Sequence, residues 1–250
     1  QALDDPDCPM DVAARLVQAE PLLAARVVAI ANSVVYNRSG REITDVRTAV
    51  ARMGFRTVRS LAMALVTRQM AGNVGDQRHQ ELVTQLWDHT SHVASLAHVI
   101  ARRVTHQDPE TAMFAGIVHE VGGFYMLSRS NEFPGLLDDF SDWIEEGEIA
   151  VGRAVLKVLG VPEAVSVAIE SYWDGFLAIP STTLADTLLL AEELAPVPSP
   201  LHALGGGDNQ HAGGSGMTAS LDMAIGSETL TAILEESAEE VRSLTGALKF

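Results

Sequence analysis

Apolar residues recur along nearly the whole chain three or four positions apart, which is the spacing of one face of an α-helix. No segment alternates polar and apolar residues for long enough to predict a strand. The pattern therefore predicts an all-α protein. The predicted helices cover, in order, residues 11–19, 21–32, 45–53, 56–70, 81–104, 109–127, 141–159, 162–173, 183–194 and 227–248.

Several predicted helix ends carry the residues that favour them. Asp108-Pro109-Glu110 offers an N-cap, a first-turn proline and a first-turn acid to the helix over 109–127. Gly54 and Gly160 are expected to end helices, the second in a left-handed conformation. The stretch 205–216 is rich in glycine and therefore predicts a flexible loop. It does not predict a phosphate-binding loop, because no Gly-Lys-Ser/Thr follows it.

Composition indicates a folded protein. The chain has 250 residues, 47% of them apolar, enough for one large domain or two closely packed lobes. Its single cysteine, Cys8, excludes an intramolecular disulfide and favours a reducing compartment, so we expect a cytoplasmic location. No apolar run approaches the roughly 18 residues that cross a bilayer, so no membrane partner is predicted.

The formal net charge of −16 lies almost wholly in the second half of the chain. Such acidity repels a polyanion, so nucleic acid is not an expected partner. Residues 44–65 could form two short helices joined at Gly54, as in a helix-turn-helix, but no Asn or Gln follows between Arg56 and Arg68 to read bases. We instead predict that these arginines either face solvent or form a surface that contacts an acidic partner protein, the candidate residues being Arg47, Arg52, Arg56 and Arg59.

His119 and Glu120 interrupt an otherwise apolar run that extends from residue 113 to residue 127. An imidazole and a carboxylate are costly to bury without partners. The pair is therefore expected to meet either a metal ion or other polar side chains.

Two separated parts of the chain resemble the HDOD domains, bacterial signalling modules related to HD-type phosphohydrolases. The first is the run from Glu20 to Tyr36 with Ile43 and residues 49–54. The second joins Leu86-Trp-Asp-His89 to Val93-Ala94, residues 109–123 and the turn at 159–163. The resemblance implies one all-α domain over 1–250, with an N-terminal helical lobe, 1–74, and a degenerate HD-like lobe, 75–250, that contains the flexible loop 205–216.

The resemblance also implies a candidate metal site. In catalytic HD proteins an earlier histidine, a His-Asp pair and a later aspartate hold a divalent ion, and the matching positions here are His89, His119, Glu120 and Asp186. Glutamate replaces aspartate at 120, and its longer side chain would displace a ligand geometry shaped for aspartate. Two-metal HD phosphodiesterases carry a histidine pair before an Asp-Gly turn, whereas Ile169-Glu170-Ser171 stands there, so a bimetallic site is not expected.

Each candidate ligand also has a purely structural interpretation. His89 and His92 share a helix face and could hydrogen-bond across a helix interface. Asp186 could act as a first-turn acid near a helix N-terminus. His119 and Glu120 could be satisfied by a mutual network with His89 and Asp186, without an ion.

Two functions follow from these alternatives. The preferred one is a non-catalytic or vestigial HD-type signal-transduction module that acts through a signalling protein partner or a small ligand. The other is a metal-dependent phosphohydrolase that acts on a nucleotide or cyclic dinucleotide, with one divalent metal ion held by His89, His119, Glu120 and Asp186.

Overall fold

The computed structural model describes residues 8–72, 77–130, 132–133, 135–136, 147–204 and 227–249. All regular secondary structure in these ranges is helical, which confirms the predicted all-α class. Among the described helices none is both long and apolar enough to cross a bilayer. The helices are α1 Met10–Gln18, α2 Pro21–Ala31, α3 Val46–Met70, α4 Gln77–Ile100, α5 Pro109–Val118, α6 Val121–Arg129, α7 Glu148–Val158, α8 Glu163–Trp173, α9 Leu184–Glu193, α10 Pro200–Leu204 and α11 Ser227–Leu248.

Most predicted helix ends agree with the structure to within a few residues. Gly54 bends α3 through a left-handed conformation (φ 81°), and Gly160 has φ 65° after α7. Such angles favour glycine because it has no Cβ. The predicted start of the helix over 141–159 and the predicted loop over 205–216 fall outside the described residues.

The prediction of one continuous helix over 109–127 is wrong, and the difference affects the site. The segment consists of two helices, α5 and α6, and the chain leaves helical geometry between them at Glu120 (φ −106°, ψ 25°). The N-cap of α5 is as predicted, since Asp108 accepts a hydrogen bond from the Thr111 amide at 2.8 Å. His119 keeps helical backbone angles, so the departure from a continuous helix lies at Glu120.

Helix α4 lies at the centre of the fold and packs against α5, α9 and α11. It continues into one π-helical turn, Ala101–Thr105. Its closest neighbour is α5, because a Cβ added to Gly116 would lie 2.6 Å from the Cα of Ala94. The backbones of α4 and α5 therefore meet in the last turn of α5.

A partly buried carboxylate joins the N-terminal helices to the central pair, α4 and α5. Glu110 of α5 accepts hydrogen bonds from the Tyr36 hydroxyl (2.5 Å) and the Thr57 hydroxyl (2.6 Å), and its Oε1 lies 3.5 Å from His98 Nε2. Burial opposes ionisation, but hydrogen bonds from His98, Thr57 and Tyr36 lower the pKa of Glu110. These contacts cross the predicted lobe boundary at 74–75, and the division into lobes 1–74 and 75–250 stays a prediction.

Asp186, predicted as a metal ligand, belongs instead to the N-terminus of α9. One carboxylate oxygen accepts hydrogen bonds from the amides of Thr182 and Thr183 and from the Thr183 hydroxyl, and the other accepts from the Ala178 amide. The Thr183 hydroxyl in turn accepts from the Asp186 amide, which completes a capping box. The capping interpretation of Asp186 therefore describes its contacts, and its carboxylate is fully engaged by donors.

We predict that Gly116→Ala lowers the free energy of unfolding by about 1–3 kcal/mol, because the new methyl group must push α4 and α5 apart. Urea denaturation followed by circular dichroism measures the change. Gly246→Ala in α11 is the matched control: no atom lies within 4 Å of its added Cβ, so we expect no loss and a gain of up to about 1 kcal/mol from helix propensity. Equal effects of the two substitutions would contradict the close approach.

We predict that Asp186→Asn lowers the free energy of unfolding by about 2 kcal/mol at pH 7. The substitution replaces one carboxylate oxygen by an NH₂ group, which cannot accept the hydrogen bonds of the surrounding N–H donors. Burial opposes the charge of Asp186, but hydrogen bonds from Ala178, Thr183 and Thr182 lower its pKa in the folded protein. Its contribution is therefore present above the unfolded-state pKa and is lost as the pH falls below about 4.

Urea denaturation of the wild type and the Asp186→Asn variant between pH 7 and pH 3.5 checks this pH dependence. Asp174→Asn, at an exposed carboxylate after α8, is the control and should change stability little. A difference between Asp186→Asn and the wild type that stayed constant across this range would show that the charged carboxylate is not the stabilising group.

Candidate metal centre

His89 is directed into the interior by a backbone carbonyl behind its ring. It lies on the buried face of α4, and its Nδ1 donates a hydrogen bond to the Val197 carbonyl oxygen at 2.8 Å. This bond sets the tautomer, so that the opposite nitrogen, Nε2, presents a lone pair when the ring is neutral. His92, on the same helix, binds the Asp88 carbonyl oxygen and lies apart from this group.

His119 is held in the same manner. Its Nδ1 donates to the Gly116 carbonyl oxygen at 2.7 Å, one turn back at the end of α5. Its Nε2 lies 3.4 Å from His89 Nε2, and Tyr172 covers the ring edge-on at 5.8 Å between centroids. Two imidazoles thus point their unengaged nitrogens at one another inside the protein.

Glu120 reaches the same point because the helix breaks at its position. Its Oε2 lies 3.4 Å from His89 Nε2 and 3.8 Å from His119 Nε2. The residue is 3% exposed. The structure therefore brings three of the four predicted ligands together: His89, His119 and Glu120.

The fourth member of the group is Glu192, which the sequence analysis did not select. Its Oε2 lies 3.2 Å from His89 Nε2 and 3.5 Å from His119 Nε2. Glu192 follows Ala185 by seven positions and Leu188 by four, so it shares their helix face, and both of those residues are buried. That apolar periodicity along α9 was the available signal. Asp186 is six positions from Glu192 and faces elsewhere.

Imidazoles and carboxylates in this buried group shift one another's pKa values. Burial opposes a charge on His89, but the carboxylates of Glu192 and Glu120 raise its pKa to about 10. Burial likewise opposes ionisation of Glu192, but the two facing imidazoles lower its pKa. In the absence of an ion, a proton on His89 offsets part of the negative charge.

The donor set is compatible with one divalent ion. Neither Glu120 Oε2 nor Glu192 Oε2 accepts a hydrogen bond, although both are buried. Tetrahedral coordination with metal–ligand bonds of about 2.0–2.2 Å places neighbouring donors about 3.3–3.6 Å apart. The separations from the two Nε2 atoms are 3.2–3.8 Å. Two imidazoles and two carboxylates suit a first-row divalent ion such as Zn²⁺ or Mn²⁺.

A second group of polar side chains adjoins the first through Glu120. Ligand atoms of Glu120, Glu148 and His202 all lie within 4.8 Å of one another. Burial, and then the charge of Glu120, raise the pKa of Glu148 to about 7. Neither Glu148 nor His202 was selected from the sequence, since each stands at a helix start or in a short helix without clear periodicity.

The arginines predicted to bind a partner are engaged within the chain. Arg47 pairs with Asp11, and Arg56 pairs with Asp108 at 3.2 Å while both side chains remain partly exposed. Arg52 donates to the Tyr36 carbonyl oxygen at 3.1 Å, and the Arg59 guanidinium lies 5.6 Å from the centroid of the Phe114 ring. Their binding to a partner stays a prediction.

The fold has relatives among solved structures. A protein from Shewanella amazonensis SB2B named "putative metal-dependent phosphohydrolase" is similar with a TM-score of 0.70 and 19% identity, over 99% of this chain and 88% of that one. An HDOD domain protein of unknown function from Geobacter sulfurreducens gives 0.60 and 21%, over 98% and 88%. A "putative signal transduction protein" from Marinobacter aquaeolei VT8 gives 0.59 and 20%, over 99% and 57%. Identities this low show a shared fold alone.

Sequence comparison places the chain more firmly. No curated protein matches it. The family model of the HDOD domain matches residues 1–176, more than half of the chain, and this range includes the N-terminal helices as well as His89, His119 and Glu120. The chain belongs to the HDOD domain family.

Proposed function

We propose that this protein is a non-catalytic signalling module in which a closed His/Glu centre binds a divalent metal ion. The observation that carries the proposal is that carboxylate oxygens of Glu120 and Glu192 both lie within 3.8 Å of the Nε2 atoms of His89 and His119, in a largely buried part of the interior. When bound, the ion would neutralise the two buried carboxylates. The HDOD family and the fold shared with a protein named for signal transduction support the signalling role.

The closure of the centre favours a non-catalytic role. The side chains of His89 and His119 are 0% exposed, and those of Glu120 and Glu192 are 2% and 7% exposed. Structural metal sites use four protein ligands, whereas catalytic sites keep one position for water or substrate. The four side chains that contribute donors here are at most 7% exposed, so a phosphate ester in solution does not reach them in this conformation.

The centre connects several elements that are distant in sequence. His89 belongs to α4, His119 and Glu120 lie between α5 and α6, and Glu192 belongs to α9. An ion bound by all four would fix these helices relative to one another, and loss of the ion would leave two carboxylates facing one another in the interior. The metal-bound and metal-free forms are therefore two states of the protein. In each state the module presents a different surface to a protein partner or small ligand.

A metal-dependent phosphohydrolase acting on a nucleotide or cyclic dinucleotide is the second candidate. Its support is the donor set itself, since two histidines beside a carboxylate are ligands that hydrolytic metal sites also use. In that case His89, His119, Glu120 and Glu192 would hold the ion, and the protein would have to open to admit a substrate.

We predict that dialysis of the full chain against Mn²⁺ or Zn²⁺ raises its melting temperature by several degrees, because the ion binds the folded state alone. His119→Ala and Glu192→Gln should each remove most of that rise. His92→Ala and Glu193→Gln are the matched controls, on neighbouring positions of the same helices, and should keep it. Differential scanning fluorimetry with and without EDTA provides the measurement.

The same preparations decide between the two functions. Phosphatase and phosphodiesterase assays with added Mn²⁺ should give no turnover above the buffer, for nucleotides and cyclic dinucleotides alike. Turnover that His119→Ala abolishes would overturn the non-catalytic role. A wild-type melting temperature that does not respond to either ion would overturn the metal centre.

A further inference from the structure

We propose a second divalent-cation site beside the first, formed by Glu120, Glu148 and His202, with Glu120 as a ligand shared by both ions. The inference rests on the proposed function, because Glu120 is one of the ligands of the buried centre. It differs from the sequence-based expectation, in which a bimetallic site required a histidine pair near Asp174 that this chain lacks.

Tight backbone packing brings the three donors together. A Cβ added to Gly122 would lie 2.9 Å from the Cα of Gly152, so α6 and α7 are in close contact, with Glu148 in the first turn of α7. A Cβ added to Gly123 would lie 2.3 Å from the Leu201 side chain, which holds α10 against the same helix. The donor atoms of Glu120, Glu148 and His202 consequently lie within 4.8 Å of one another.

The combined cluster holds one more carboxylate than a single divalent ion neutralises. It contains three carboxylates, those of Glu120, Glu148 and Glu192, beside three imidazoles. Among the described residues, no Lys or Arg pairs with any of these carboxylates. One divalent ion at the first centre offsets two negative charges, and the third stays in a largely buried place. Glu120 is only 3% exposed, and its Oε2 atom accepts no hydrogen bond.

The second site is the more accessible of the two. Glu148 and His202 are partly exposed, whereas His89 and His119 are fully covered. Among the described residues it has three protein ligands, which leaves further coordination positions on an ion there. The second ion is therefore the one that exchanges with the surrounding solution, and through Glu120 its presence acts on the buried centre.

The competing arrangement replaces the second ion with a proton on Glu148, so the test is a count of ions. The full-length protein is loaded with Mn²⁺ alone and dialysed, and bound manganese per chain is measured by mass spectrometry. We expect two ions in the wild type and one in both Glu148→Gln and His202→Ala. Glu163→Gln, at an exposed acid in the first turn of α8, is the control and should retain two.

Electron paramagnetic resonance of the same samples tests the shared ligand. Two Mn²⁺ ions that share the Glu120 carboxylate should give a spin-coupled spectrum, and Glu148→Gln should convert it to that of an isolated ion. Circular dichroism melts verify that each variant is folded.

The outcomes separate this inference from the proposed function. One ion in the wild type that His89→Ala removes would overturn the second site and leave the buried centre intact. Two ions that persist in both Glu148→Gln and His202→Ala would assign the second ion to other residues and overturn the proposal. Binding of no ion would overturn both sites.

Discussion

The burial of ionisable side chains that have no Lys or Arg partner among the described residues is the constraint on which the arrangement of the candidate centre depends. Imidazoles and carboxylates removed from water must be satisfied by one another, by protons or by a cation. Each imidazole here is first fixed by a backbone carbonyl, of Val197 or Gly116, and only then directed at Glu192. The segment after α9 and the end of α5 are therefore held in place by the same groups that form the centre.

The break between α5 and α6 is the backbone feature that helps the buried side chains of His119 and Glu120 to reach their partners. In a continuous helix, the Cβ atoms of residues 119 and 120 would point about 100° apart around the axis. The non-helical conformation of Glu120 brings its carboxylate to within 3.8 Å of the His119 ring nitrogen. The glycines on either side, Gly116 and Gly122, allow α4 and α7 to approach this point closely. Loss of helix geometry at one residue and small residues around it together form the centre.

The helical class and most helix ends could be predicted from sequence because they depend on local signals, such as caps and apolar periodicity. The apolar run around His119 and Glu120 marked that pair, whereas the candidate ligand roles of His89, His119 and Glu120 followed from the family resemblance. Asp186 and Glu192 show where that reasoning ends. Both are acids on one helix, and resemblance favours the first, yet the Thr183 hydroxyl three positions earlier makes Asp186 a capping residue. Glu192 could have been found from the buried face it shares with Leu188. The break at Glu120 was not predicted, although Gly122 and Gly123 directly after it lower the local helix propensity.

The substitution of glutamate for aspartate at position 120 carries less weight than the sequence suggests. The extra methylene was expected to displace the ligand geometry, but the longer side chain starts from a backbone that has left the helix and still reaches His89 at 3.4 Å. A second glutamate, Glu192, completes the set from the opposite side. The donor set is therefore compatible with metal, and the argument against hydrolysis rests on the closed surroundings of the centre. If Glu120 also contacts Glu148 and His202 through a shared ion, its longer reach is what spans the two sites.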